Sequence, residues 1–110
     1  MSDIINQYSE TLVSAFENNN FDPVLELFAD SFEASVKVMG QTYQFTEKER
    51  LKKFFEKTPR GFGISIKNIS ETGKKNYEVA IAMGMGMLKM PGKLTLKLDD
   101  KDKINYFSIK

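Results

Sequence analysis

Apolar residues open the chain at helical spacing: Ile5, Tyr8, Leu12, Ala15 and Phe16 fall on one stripe. This predicts an amphipathic helix, capped at Ser2 or Asp3 and closed by the polar run Asn18-Asn19-Asn20. Asp22-Pro23 then places a capping carboxylate before a proline at the first helical position, where the missing N–H costs little. Val24, Leu25, Leu27 and Phe28 predict a short second helix that stops near Ala29-Asp30. At Phe32 the period changes to two. Phe32, Ala34, Val36 and Val38 alternate with Glu33, Ser35 and Lys37, which predicts a strand through Met39 with one buried face. Gly40-Gln41 turns the chain into a brief strand over 42–45. Thr46 and Glu49 have the spacing of a capping box, and they predict the start of a third helix striped by Leu51, Phe54 and Phe55 and ending before Pro59-Arg60-Gly61. Beyond it the pattern is all strand, over 62–70, 76–90, 93–98 and 104–109. Residues 72–75, Pro91-Gly92 and 99–103 serve as hairpin connections of an antiparallel meander.

The strand at 76–90 carries the most information. Tyr77, Val79, Ile81, Met83, Met85 and Met87 share one face, and Glu78, Ala80, Ala82, Gly84, Gly86 and Leu88 share the other. Neither face suits water, so the strand is central, with its large side chains expected toward the core; with the faces reversed, the small residues would widen a cavity and the methionines would form the contact surface. Methionine is unbranched and polarizable and lines sites that accept more than one shape. Glycine inside a strand costs stability, so Gly84 and Gly86 mark either a sheet bend or the close approach of another backbone. The flat strip Ala80, Ala82, Gly84 and Gly86 predicts the contact face of a homodimer.

Composition narrows the chemistry. The chain has 110 residues, enough for one domain with its own core. It contains neither cysteine nor histidine, which removes disulfides, thiolate metal clusters, the usual zinc sites and the Ser-His and Cys-His nucleophile pairs. No metal or cofactor is expected, and any acid-base work would fall to Asp, Glu, Lys or Tyr. Lys and Arg number 16 against 15 Asp and Glu, so no global field points to nucleic acid or to a membrane. Residues 46–60 are locally basic, yet Glu49 and Lys53 at i,i+4 spacing read as a solvated helix face. With no basic leader and no long apolar run, the chain reads as soluble and cytoplasmic.

The order helix, short helix, hairpin, helix and four long strands resembles the cone-shaped α+β fold of the nuclear transport factor 2-like superfamily. Asn19-Asn20-Phe21-Asp22 followed by Leu25-x-Leu27-Phe28-Ala29-Asp30 is similar to the opening of its SnoaL-like members. The resemblance implies three N-terminal helices packed on a curved antiparallel sheet. It also implies where enzymes of this superfamily keep their machinery. Counting from Asp30 along the first strand brings the ketosteroid isomerase base to Val36, and counting back from Asp22 brings the oxyanion tyrosine to Leu12. Both are aliphatic. No arginine follows Arg60, against the epoxide-hydrolase pattern, and the histidine of dehydratase-type members is missing. The expectation is therefore an apolar cavity that binds a small hydrophobic molecule, bordered by Tyr8, Leu12, Phe28, Val36, Phe55, Ile81, Met83 and Met85, with the Tyr8 hydroxyl as its polar handle. A catalytic alternative, an isomerase or cyclase, would use Tyr8 with a carboxylate such as Glu33, Glu78 or Asp99. An interaction module with a filled core is the third.

Overall fold

The computed structural model describes residues 3–38 and 40–110, so the cap expected at Ser2 or at the Asp3 side chain, and Met39, lie outside the described residues. Helix α1 spans Asp3–Asn18 and buries Ile5, Leu12 and Ala15, the stripe its sequence defines. Asn19 ends it in a left-handed conformation, φ 53°, which asparagine tolerates better than most residues. Helix α2 is only Asp22–Leu25. Asp22 is its first helical residue and not its cap: Phe21 holds the cap position with its ring in the core, and the Asp22 carboxylate pairs with Lys52 at 2.8 Å.

The expected extension of α2 through Leu27 and Phe28 does not form. Strand β1 begins at Phe28 and runs to Val38, because Phe28 pairs with Ile104 and the Leu27 carbonyl accepts the Ile104 N–H at 2.8 Å. Tertiary pairing outweighs local helix preference here. Strand β2, Gln41–Phe45, closes a hairpin with β1. Helix α3 spans Lys48–Glu56. The capping box is absent: Glu47 is the cap residue, no side chain caps the helix, and the first helical bond runs from Leu51 N–H to the Glu47 carbonyl at 3.1 Å. The start is shifted one residue from the spacing Thr46 and Glu49 require, and Glu47 faces Arg50 at 3.7 Å instead.

Four long strands follow: β3 (Phe62–Gly73), β4 (Asn76–Met85), β5 (Leu88–Leu98) and β6 (Ile104–Ile109). With β1 and β2 they make one curved six-stranded sheet in the order β2-β1-β6-β5-β4-β3. Every pairing is antiparallel except β1 with β6, which run parallel. Register shifts interrupt β1, β3 and the β5–β6 pairing, the irregularities that let a sheet bend.

The turn between β4 and β5 falls at Gly86-Met87, not at Pro91-Gly92. Gly86 has φ 58° while Met87 is not left-handed, the pattern of a type II′ hairpin turn. Pro91 then lies within β5 opposite Ala82. The Lys93 N–H faces β6, reaching the Lys110 carbonyl at 3.0 Å. Two residues earlier, Pro91 presents its missing donor to the same side, beyond the last β5–β6 pairing, where no ladder bond is lost. Gly84 is explained nearby: a Cβ there would stand 2.1 Å from the Leu88 carbonyl oxygen. The backbone that approaches it belongs to its own hairpin.

Tyr77, Val79 and Ile81 of β4 point inward and are buried, so the large-residue face is the inner one. With Phe32, Ala34 and Val36 of β1, Leu94, Leu96 and Leu98 of β5, and Phe107 and Ile109 of β6, they form the core beneath the helices.

Candidate functional site

At the end of the sheet where β1, β4 and β6 finish and β3 begins, the core is incompletely filled. A cavity of about 240 Å³ remains, open to solvent on one side. Phe16 at the end of α1, Phe54 and Phe55 at the end of α3, and Phe62 at the start of β3 form its aromatic wall. Phe16 and Phe55 meet edge to face at 5.8 Å between centroids, and Phe16 and Phe62 stand at 5.6 Å. Such ring pairs attract each other beyond the area they bury, by about 0.5–1.5 kcal/mol. Val36, Val38, Ile64, Met83 and Ile109 supply the sheet side, and Lys37, Lys57, Thr58 and Pro59 complete the lining. Among the described residues no acidic side chain borders it. A more polar cleft of about 320 Å³ adjoins it, sharing Phe16, Thr58, Pro59 and Phe62 and adding Glu17, Asn18, Asn19 and Arg60.

Of the eight residues expected to border the cavity, Val36, Phe55 and Met83 do so. Leu12, Phe28 and Ile81 point inward but lie at levels where the core is full, with 3%, 2% and 2% of their surface exposed. Met85 is one pair beyond Met83 on the same face and largely clears the core, 46% exposed. Tyr8 sits two turns of α1 away from Phe16. Its hydroxyl donates to the Asp102 carbonyl at 2.6 Å, in the loop between β5 and β6. Burial first, then the negative charges of Asp102 and Asp99, hold its phenol above the ordinary value of 10.0. Tyr8 is thus a neutral donor to the β5–β6 loop, two turns of α1 away from the cavity wall.

The same loop is drawn around Asp99. One carboxylate oxygen accepts the N–H groups of Lys101 and Lys103, both at 2.9 Å. The hydrogen bond from Lys103 chiefly, with that from Lys101 and the charges of Lys101 and Lys75, keeps its acidity stronger than usual. Lys75 bridges the Asp99 carbonyl and the Asp102 carboxylate, both at 3.1 Å. These carboxylates build a loop. Glu78 faces Lys93 at 3.4 Å, and Glu33 is exposed on β1. Among the described residues no three acidic side chains come together to hold a metal ion.

The apolar inner face does not stop at the cavity. Met85, Met87, Leu88 and Met90, at 46%, 100%, 84% and 71% exposure, carry it onto the tip of the β4–β5 hairpin. On the opposite face Ala80 is exposed and Ala82 and Gly84 are half-buried, beside a row of Ser35, Ser108 and Thr95 aligned across β1, β6 and β5. Sequence reasoning missed Phe16, Phe54, Phe62, Ile64 and Ile109 as cavity residues. Phe16 and Phe54 carried a signal, since both lie on the apolar stripes of helices that end here.

No family model matches the chain, and no curated protein matches its sequence. Solved structures do match in shape over nearly the whole length. A nuclear transport factor 2-like (NTF2-like) protein from Anabaena variabilis superposes with a TM-score of 0.79 at 18% identity, covering 98% of this chain and 86% of its own. A candidate ketosteroid isomerase from Kribbella flavida gives 0.75 at 10% identity, covering 98% and 77%. A candidate polyketide cyclase from Sinorhizobium meliloti gives 0.75 at 15% identity, covering 100% and 95%. The fold is the α+β cone of the nuclear transport factor 2-like superfamily. Such a fold hosts many activities, so the residues of this chain must argue its own. No helix among the described residues is long and apolar enough to cross a membrane.

Proposed function

We propose that this is a cytoplasmic protein that binds a small, mainly apolar molecule in the open-end cavity and does not perform isomerase-type catalysis there. The lining carries the reading. Aromatic and aliphatic side chains face a concave space, the position that the resemblance gives to the isomerase base is Val36, and among the described residues no carboxylate borders the cavity. The isomerase-like or cyclase-like alternative needs a proton acceptor within hydrogen-bond reach of a bound substrate. Glu78 and Asp99 are engaged elsewhere, and Tyr8 is bonded at the other end of the molecule.

Titration with a neutral apolar fluorophore tests this. Binding tighter than about millimolar, a free energy beyond about −4 kcal/mol, supports it. Met83→Lys, which puts a charge into the apolar lining, should abolish binding while a variant at an exposed distant site should not. Steroid-isomerase turnover by the unaltered protein would overturn it.

The reading includes a homodimer through the outer face of β4, now centred on Ala80 and Ala82, because Gly84 and Gly86 have reasons within the chain. The small side chains of Ala80 and Ala82 support it, beside Pro91 opposite Ala82, with the Glu78–Lys93 pair at the edge of the patch. Light scattering should report a dimer that Ala82→Lys converts to a folded monomer. A monomeric unaltered protein at micromolar concentration would refute it.

A further inference from the structure

Four of the six methionines fall between residues 83 and 90, and the β4–β5 hairpin gathers them. Met90 stands directly opposite Met83, and Met85 follows on the same face, one pair nearer the turn. Directly opposite residues have Cβ atoms about 4.5–5.5 Å apart, and diagonal ones, as Met85 and Met90 are, about 7–8 Å. Three thioethers on flexible arms therefore share one patch. Met83 is half-buried at the cavity, while Met85 and Met90 are 46% and 71% exposed, so the patch is open to solvent. Leucine would serve an apolar lining or an apolar surface as well as methionine does. Sulfur is what methionine adds.

The surroundings favour a soft cation. Composition removes cysteine and histidine, so these thioethers meet no competing soft ligand in the chain. From Val79 to Leu98 the hairpin carries no Asp or Glu, which removes the carboxylates through which Mg²⁺ and Ca²⁺ are usually bound. Lys89 belongs to the opposite face, where its amine reaches the Ser65 hydroxyl at 3.2 Å. Thioether ligands select Cu(I). We propose that Met83, Met85 and Met90 form a three-sulfur site for Cu(I). Two glycines leave these side chains room to move: the Met83 methyl lies 2.8 Å from where a Gly92 Cβ would stand, and the Met85 methyl 3.8 Å from where a Gly61 Cβ would stand. The metal draws both side chains from those positions toward Met90 by rotation about their own bonds. Met87, in the turn and fully exposed, stays outside the trio. The site is independent of the apolar-ligand reading, although Met83 belongs to both.

Competition with the chelator bicinchoninate for Cu(I), held reduced by ascorbate under nitrogen, reads the site. The unaltered protein should take a single Cu(I) per chain from the chelator and should not bind Zn(II). Met85→Leu and Met90→Leu, which conserve volume, should each weaken binding at least tenfold, since losing even a partner that merely orients a metal ligand costs about 10–100-fold. Met87→Leu should leave it unchanged. Affinity should be equal at about pH 5 and about pH 7, because a thioether has no proton to lose, unlike a carboxylate. Ag(I), an air-stable stand-in, should shift the NMR methyl signals of Met83, Met85 and Met90 in the unaltered protein and leave that of Met87 in place, which tests the assignment without any substitution. No transfer of Cu(I) from the chelator overturns the site. Binding that survives Met85→Leu, an equal loss with Met87→Leu, or a moved Met87 signal overturns the ligand set, and an affinity that falls with acid assigns the metal to carboxylates instead.

Discussion

At the end of the molecule holding the β5–β6 loop, polar groups are matched to partners: Tyr8 to the Asp102 carbonyl, Lys75 to Asp99 and Asp102, and Asp99 to two backbone N–H groups. At the end holding the cavity, polar groups are few, the aromatic wall is packed on one side only, and apolar side chains run out into solvent along the β4–β5 hairpin. The same α1 serves both, Tyr8 fastening one end and Phe16 walling the other. The comparison teaches that directional bonds hold the fold at the end without a cavity. The other end is left shaped but unfilled, which is where a scaffold can accept a guest without spending its own cohesion.

The contrast breaks most severely at Phe55, which is buried and stacks on Phe21 at 5.3 Å while walling the cavity. Phe55→Ala should lose about 3–5 kcal/mol of stability in a denaturant titration. A smaller loss would mean that the wall is already slack. Tyr8→Phe sharpens the contrast from the opposite end. It should cost about 1 kcal/mol, the net worth of one neutral hydrogen bond, and leave ligand affinity unchanged. The pH dependence carries a sign. Because the folded phenol lies above its ordinary value of 10.0, its contribution is fully present below that pH and is lost as pH rises through the folded value. The unaltered protein should therefore lose stability in that alkaline range, and Tyr8→Phe should flatten this limb; an unchanged limb would place the titration on another group. The smallest effect concerns Ser9, buried on α1 with its hydroxyl unpartnered among the described residues. Ser9→Ala should be neutral or raise stability by a few tenths of a kcal/mol, through helix propensity and the removal of an unpaired polar group, and a clear loss in thermal melting would reveal a partner for that hydroxyl.

The faces of the molecule were legible in the sequence. Large and small residues alternate so sharply along β4 that its two faces could be separated in the sequence, although which of them points inward was settled only by the burial of Tyr77, Val79 and Ile81, and the stripes of α1 and α3 named most of their buried residues. Positions along the elements were not. Periodicity says that Leu12, Ile81 and Phe28 point inward but not that the core is full at their level and empty at Met83, since that depends on where the helices end over the sheet. Local turn chemistry also misled. Pro91-Gly92 has the composition of a turn, yet Gly86 is a better one, and Pro91 is tolerated in β5 because it faces an unpaired side. Phe28 shows the same limit: nothing near it in sequence announces that Ile104 will draw it into a strand.

That parallel pairing has a consequence in time. β6 lies between β1 and β5, so the first strand to be made waits for the last before its second edge is covered. Contacts between residues so distant in sequence form slowly, because the intervening chain must surrender its freedom before any reward arrives. On the ribosome, β3, β4 and β5 can pair as they emerge, while Phe28, Phe32 and Ala34 stay without the Phe107 and Ile109 side of their core. The nascent chain thus carries an apolar, half-paired strand until residues 104–109 have emerged, and only when they slide into place does it acquire a continuous six-stranded sheet.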